Sequence, residues 1–162
     1  MQFEPAPIRT RTQRVPPEWI DYNGHMNVAF YVMAIDRALD EVFDVLGIGE
    51  GLVSAHGMGP MALQAQVHYL DELLEGQPFA CDFQLLDADH KRVHFFVTMH
   101  HLEKGTVAAT WEAISMNVDL TARRSAPYPP ECAARIEALK AAHADLPRPE
   151  RAGAALGLRR QR

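Results

Sequence analysis

The stretch Val28–Leu46 limits the folds open to this chain more than any other. Val28, Tyr31, Val32, Ile35, Leu39, Val42, Phe43 and Leu46 recur at steps of three and four, the period of one helix face. Asp36, Arg37, Asp40, Glu41 and Asp44 fall on the other side. Asn27 stands where an N-cap belongs and Gly47 where a helix commonly stops. These 19 residues predict a rod of roughly 28 Å at 1.5 Å per residue. The apolar stripe is wide, so most of the helix must be buried. The rest of the chain must then provide a surface broad enough to bury it.

Four later segments provide one. Met61–Tyr69, Phe79–Leu85, Val93–Met99 and Val107–Ile114 alternate in apolar and polar character, which predicts half-buried strands of an antiparallel sheet. They are separated by Asp71–Pro78, by Asp87–Lys91 and by Glu103-Lys104-Gly105, the last a tight hairpin. Ile8–Val15 is β-prone and stops before Pro16-Pro17; arginines at positions 9 and 11 give that strand a wet face. Gly47–Pro60 holds five glycines and reads as a long connection with room for a short helical turn. Glu131–Ala144 predicts a peripheral helix that touches the body through Ile136 and Leu139, stopped by Leu146-Pro147-Arg148-Pro149. Segregated elements of this kind mean an α+β fold. The expectation is a five-stranded antiparallel sheet wrapped around one long central helix, with a C-terminal peripheral helix. All 162 residues fit one domain, with its core over about residues 8–120 and a helix and basic surface tail over 121–162.

Composition serves mainly to exclude. A net charge of -5, from 16 basic and 21 acidic residues, argues against nucleic acid as the partner. No run approaches the ~20 apolar residues that span a membrane, and the N-terminus shows no charged and then apolar leader. A cytoplasmic location is expected. Cys81 and Cys132 share no metal or redox spacing and read as free thiols in a reducing compartment. His100 and His101 are adjacent on a strand and point to opposite faces. With no HExxH and no His/Cys cluster, no metal is expected. The absence of GxGxxG, GxxxxGK[ST] and GxSxG sets aside dinucleotide, P-loop and α/β-hydrolase chemistry.

One constellation carries chemistry. Asp21 lies just upstream of the long helix, in Trp19-Ile20-Asp21-Tyr22-Asn23-Gly24-His25-Met26-Asn27. Turn aspartates are common, so spacing alone favours a structural role. The setting favours more. A helix start offers unpaired N–H groups to a carbonyl oxygen, and a nearby carboxylate can attack it or activate water. Trp19, Ile20 and Tyr22 are expected to desolvate Asp21 and raise its pKa. His25 either hydrogen-bonds within the turn or acts as an acid/base partner of Asp21. Gly24 gives the turn backbone freedom. Lys91, Arg92 and His94 read either as solvated charges at a strand end or as a clamp for the phosphates of a nucleotide-like carrier. Trp19, Tyr22 and Trp111 read as core or interface aromatics, or as a surface for a cationic group.

Asp21-x-x-Gly24-His25-x-Asn27-x-x-x-Tyr31, leading into one long helix and four strands, resembles the hotdog-fold acyl-CoA thioesterases of the 4-hydroxybenzoyl-CoA thioesterase type. This resemblance covers about residues 8–120. It implies an acyl-CoA substrate, no cofactor beyond the coenzyme A of that substrate, and a homodimer or homotetramer with active sites at the subunit interface. It implies catalytic roles for Asp21 and the Val28 N–H, with Asn27 and His25 positioned around them. A longer resemblance runs through Pro17–Met26, Asp89-His90-Lys91-Arg92-Val93-His94-Phe95, Met99-His100-His101 and Ala142–Pro149. Those stretches are similar to the thioesterases found with, or fused to, L-carnitine dehydrogenase, which are associated with hydrolysis of betainyl-CoA. The resemblance therefore implies substrate contacts for Trp19, Tyr22, Gly24 and Tyr31, and CoA contacts for Lys91, Arg92 and His94. Two other readings on the same scaffold are an enoyl-CoA hydratase, because Asp21-Tyr22-Asn23-Gly24-His25 falls one residue short of the hydratase pattern, and a non-catalytic acyl-CoA sensor.

Overall fold

In the computed structural model of the protein, residues 2–158 are described; the basic end expected at Arg159-Arg160 and Arg162 lies outside them. The predicted long helix is α1, Val28–Leu46. The Asn27 side chain accepts the Ala29 N–H, and Gly47 ends the helix in the left-handed conformation at φ 74°. Tyr31, Ala34, Ile35, Ala38, Leu39, Val42, Phe43 and Leu46 are its buried residues, which is the face that the three-and-four spacing marks.

The sheet contains β1 (Ile8–Arg9), β2 (Gln13–Arg14), β3 (Met58–Tyr69), β4 (Pro78–Ala88), β5 (Arg92–His101), β6 (Thr106–Asp119) and β7 (Arg124–Ser125). Its main path runs β1-β4-β5-β6-β3 and every pairing is antiparallel. Phe79, Cys81, Phe83 and Leu85 of β4, Val93, Phe95, Val97 and Met99 of β5, and Trp111 and Ala113 of β6 join the buried face of α1 in one core. This is the hotdog arrangement, one long helix held by one antiparallel sheet. A second helix, α2 (Glu50–His56), occupies the glycine-rich connection. The C-terminal helix α3 (Pro130–His143) buries Cys132, Ile136, Leu139 and His143. It closes the far end of α1, where the Cys132 thiol donates to the Gly47 carbonyl at 3.1 Å.

Three expectations change. The predicted strand Ile8–Val15 is two short strands, both on β4. Between them, Thr10 bonds to β4 through both its backbone and its hydroxyl, and the Arg11 N–H turns to the Glu41 carboxylate. The ladder is therefore broken rather than continued, and the short β7 brings the strand total to seven rather than five. Finally, β3 is not half-buried. It is the outer strand of the sheet, and a bulge between Ala62 and Gln64 shifts its register against β6. Met61, Leu63 and Tyr69 are exposed.

Candidate active site

The loop before α1 is held by its own backbone and by one aromatic anchor. Trp19 is buried and stacks on Phe30 of α1 with ring centres 5.5 Å apart. The Arg37 guanidinium lies 5.9 Å from the Trp19 ring centre. Ile20 and Met26 form an isolated antiparallel bridge. Within it, the Asp21 N–H donates to the His25 carbonyl at 3.1 Å and the Gly24 N–H to the Asp21 carbonyl at 3.0 Å. Gly24 sits at φ +83°, a conformation that side-chain-bearing residues rarely adopt. The Met26 N–H donates to the Leu73 carbonyl and the Asn27 N–H to the Trp19 carbonyl, both at 2.8 Å. The loop is thus a closed hook that delivers Asn27 to the helix start.

The Asp21 carboxylate is tied to that start. One of its oxygens accepts the Asn23 N–H at 2.8 Å. The other accepts the Asn27 side-chain amide at 3.0 Å. The Asn27 side-chain oxygen in turn accepts the Ala29 N–H at 3.0 Å. Asn27 therefore does two jobs, capping α1 and holding Asp21. The Asn23 N–H is the main influence that lowers the Asp21 pKa, with partial burial opposing it and Asn27 and His25 adding to it. This reverses the expected rise. Trp19 turns into the core and Tyr22 is 96% exposed, so neither covers the carboxylate, and the hydrogen bonds decide the direction.

Beside the hook lies a cavity of about 280 Å³ whose wall includes His25, Met26, Val28, Tyr31, Tyr69 and Asp71. The Val28 N–H has no hydrogen-bond acceptor among the described residues, as the geometry of a first helical residue predicts. The Tyr31 hydroxyl accepts the Leu73 N–H at 3.0 Å and donates to the Asp71 carbonyl at 3.3 Å. The Tyr69 ring meets Tyr31 edge-on at 5.4 Å. The Asp71 carboxyl is held down to about 2 by the Thr106 hydroxyl and the Lys104 ammonium. The His25 Nδ1 is 3.1 Å from the Met26 carbonyl, and among the described residues the His25 ring makes no hydrogen bond to the Asp21 carboxylate, the two residues being joined through their backbones alone. Asp21 reaches the cavity wall through Asn27, whose neighbours Met26 and Val28 line it.

Sequence reasoning missed Tyr69 and Asp71. Tyr69 reads as one more packed residue of an alternating strand, and Asp71 as part of a turn. An aromatic at a strand end followed at once by an acidic turn was the available signal.

Other candidates stand elsewhere. Lys91 donates to the Ser125 hydroxyl at 3.2 Å, Arg92 pairs with Asp89 at 2.6 Å, and His94 meets Glu112 at 2.8 Å. Arg92 is paired with Met116 on β6, whereas Tyr69, beside the hook, is paired with Ala109. Seven residues of strand separate those levels, about 23 Å at 3.3 Å per residue. One protomer therefore does not bring these three residues to its own Asp21. Nor do Trp19, Tyr22 and Trp111 converge on one group: Trp19 and Trp111 are buried at separate places in the core and Tyr22 is at the exposed loop tip.

The model of the thioesterase-like superfamily matches residues 15–136. The chain is 37% identical over 151 residues to the betainyl-CoA thioesterase of Pseudomonas aeruginosa, covering 93% of this chain and 95% of that one. It is 34% identical over 155 residues to the L-carnitine dehydrogenase/betainyl-CoA thioesterase of Rhizobium meliloti, covering 96% of this chain and 31% of that protein. The chain thus spans about a third of that two-activity relative and nearly the whole of the shorter one. Among solved structures, a Staphylococcus aureus hypothetical protein in complex with CoA superposes with a TM-score of 0.87 at 27% identity, over 95% of this chain and 98% of that one. A putative thioesterase of Pseudomonas putida KT2440 superposes with a TM-score of 0.80 at 28% identity, over the same shares.

Proposed function

The chain belongs to the thioesterase-like superfamily, and from that premise we propose that it hydrolyses a small acyl-CoA, betainyl-CoA in the first place, to the free acid and CoA. One observation carries the reading: a carboxylate held toward its ionised form, Asp21, is fixed through Asn27 to a helix start whose first N–H is unclaimed among the described residues. The thioester carbonyl oxygen accepts the Val28 N–H, and the positive end of α1 favours the negative charge that grows there. Asp21 either attacks the carbonyl carbon or takes a proton from the water that does. On the first route the C–S bond breaks, CoA leaves as its thiolate, and water then cleaves the mixed anhydride to release the acid and restore Asp21; on the second, water adds to the carbonyl, the C–S bond breaks, and Asp21 gives its proton back to solvent. On both, the thiolate takes a proton from solvent. The attacking atom and the oxyanion donor lie on the two sides of Asn27, so a single side chain sets their spacing. Tyr31, Tyr69 and His25 wall the cavity beside the helix start, where the thioester sits, and Gly24 sets the turn that carries His25 there. No cofactor enters beyond the coenzyme A of the substrate.

The working unit is a homodimer, or a pair of dimers. β3 ends the sheet with Met61, Leu63 and Tyr69 exposed along it, and a long apolar edge strand is a pairing surface. Pairing across that edge carries Lys91, Arg92 and His94 of one protomer toward the Asp21 of the other, where they serve CoA. No described helix is long and apolar enough to cross a membrane. Two buried free thiols, Cys81 and Cys132, fit the reducing cytoplasm.

The test is thiol release from a panel of acyl-CoAs, among them betainyl-CoA. Activity on betainyl-CoA that drops by about 10²-fold or more in Asp21→Asn supports the proposal. Thiol release from no member of the panel, or full activity in Asp21→Asn, overturns it.

A further inference from the structure

A second cavity, of about 250 Å³, opens between the middle of α1 and the β3–β6 edge of the sheet, and the mechanism above leaves it unused. Its apolar wall includes Phe43, Phe95 and Trp111, and its rim carries the carboxylates of Asp36 and Asp40. Phe43 and Phe95 meet edge-on with ring centres 5.9 Å apart. Trp111 is only 6% exposed, and its indole N–H has no hydrogen-bond partner among the described residues. A buried donor left unanswered costs free energy, and an onium group, which accepts no hydrogen bond, does not answer it; what Trp111 offers such a group is its ring. The negative charge is unanswered too. Neither Asp36 nor Asp40, nor the neighbouring Asp44, forms an ion pair among the described residues. Burial, and then the charges of Asp36, Asp44 and Glu50, raise the Asp40 pKa. Aromatic faces beside uncompensated carboxylates form the environment that holds a quaternary ammonium group, which can make no hydrogen bond of its own.

Within one protomer this cavity cannot serve Asp21. From Asn27 to Asp40 is thirteen helical residues, about 20 Å, whereas the charged nitrogen of a betainyl group is two bonds from the thioester carbon. The geometry of β3 removes the difficulty. Tyr69, at one end of the strand, stands over the hook, with its hydroxyl 3.4 Å from the Val28 carbonyl. Pro60 and Ala62, near the other end, line the second cavity. An antiparallel two-fold pairing of β3 with the β3 of a second copy lays the Tyr69 end of one strand beside the Pro60 end of the other. Each catalytic hook then faces the other copy's second cavity. Building on the thioesterase reading, we propose that the cavity of Asp36, Asp40, Phe43 and Trp111 is the subsite for a quaternary-ammonium acyl group whose thioester is cleaved by the Asp21 of the partner subunit.

The test compares betainyl-CoA with 3,3-dimethylbutyryl-CoA, its neutral carbon isostere. The wild-type protein is expected to favour the cationic substrate in kcat/KM, and Asp36→Asn with Asp40→Asn to cut that ratio by roughly tenfold or more. Both positions are on the solvent side of α1, so the double variant folds. Mixed dimers locate the subsite. An Asp21→Asn protomer paired with an Asp36→Asn/Asp40→Asn protomer has one live carboxylate, which faces the intact cavity across the interface, so full preference for the cation returns. Loss of preference in the mixed dimer would place the subsite in the same protomer and overturn the proposal, as would an unchanged ratio in the double variant. Tetramethylammonium binding, read by tryptophan fluorescence, separates the two levels. Hydrolysis without preference for the cation sinks the subsite and leaves the thioesterase. Tetramethylammonium binding that is lost in the double variant, with no hydrolysis of any acyl-CoA, sinks the thioesterase and leaves the subsite.

Discussion

On the proposed mechanism Asn27 joins fold stability to chemistry, and two substitutions pull the two apart. Its side-chain oxygen caps α1 through the Ala29 N–H at 3.0 Å, and its amide nitrogen holds Asp21 at 3.0 Å. Asn27→Ala removes both bonds. Losing an N-cap costs about 1 kcal/mol, which lowers Tm by about 2–4 °C for a chain of this size. Asn27→Asp keeps an acceptor at the cap and adds negative charge at the positive end of α1, so its Tm stays within about a degree of wild type. The new carboxylate replaces the donor to Asp21 with a like charge, which raises the Asp21 pKa. The assay is kcat/KM for thiol release against pH, together with a thermal melt of each variant. On the proposed mechanism, wild-type activity is expected to fall as pH drops through the Asp21 pKa, which the Asn23 N–H above all holds down. In Asn27→Asp that acid limb moves to higher pH while the melt holds. An acid limb that stays put in Asn27→Asp, or a melt that drops as far as in Asn27→Ala, refutes the double role.

Three further outcomes are open to measurement. Phe83 is 1% exposed and stacks on Phe95 at 5.2 Å, so Phe83→Ala costs about 3–5 kcal/mol in denaturant unfolding; a loss below about 1 kcal/mol would show that the core closes around the gap. Burial lowers the His143 pKa below 6.5, and its Nδ1 accepts the Leu85 N–H. The unfolded chain then binds the proton more readily, so stability is full above about pH 6.5 and declines as pH falls below it; His143→Gln should flatten that part of the curve, and an unchanged slope would assign it to other groups. Cys81 is pushed up to about 12 by burial and the Cys132 thiol is bonded to Gly47, so a thiol reagent should find neither cysteine in the native protein and both after unfolding, and the release assay reads CoA alone.

Much of the architecture follows from local pattern. The limits of α1, its cap at Asn27 and its stop at Gly47 depend on neighbours within a few residues, and the structure agrees to the residue. Period-two alternation marks β4, β5 and β6, whose apolar faces join the buried core. The expectation failed where a partner or a competing bond decides. Thr10 and Arg11 break the first strand through contacts with Cys81 and Glu41, which are distant in sequence. β3 carries the same alternation as the inner strands yet is exposed, because alternation reports which face is apolar and not whether anything covers it.

The hook before α1 divides the same way. That Asp21 stands near a helix start is written in the order Asp21, Gly24, Asn27, because a cap and a turn are short-range events. The protonation of Asp21 was not readable. Trp19 and Tyr22 look like a desolvating pair in sequence, but the tertiary fold buries one against Phe30 and Phe79 and turns the other out to solvent. Tyr69 and Asp71 join the candidate cavity beside Val28 and Tyr31, and Trp111 joins Asp36 and Asp40, only because the packing of α1 on the sheet brings positions about 40 to 75 residues apart into one wall. Local chemistry sets which groups a segment can offer; long-range packing alone sets which of them meet.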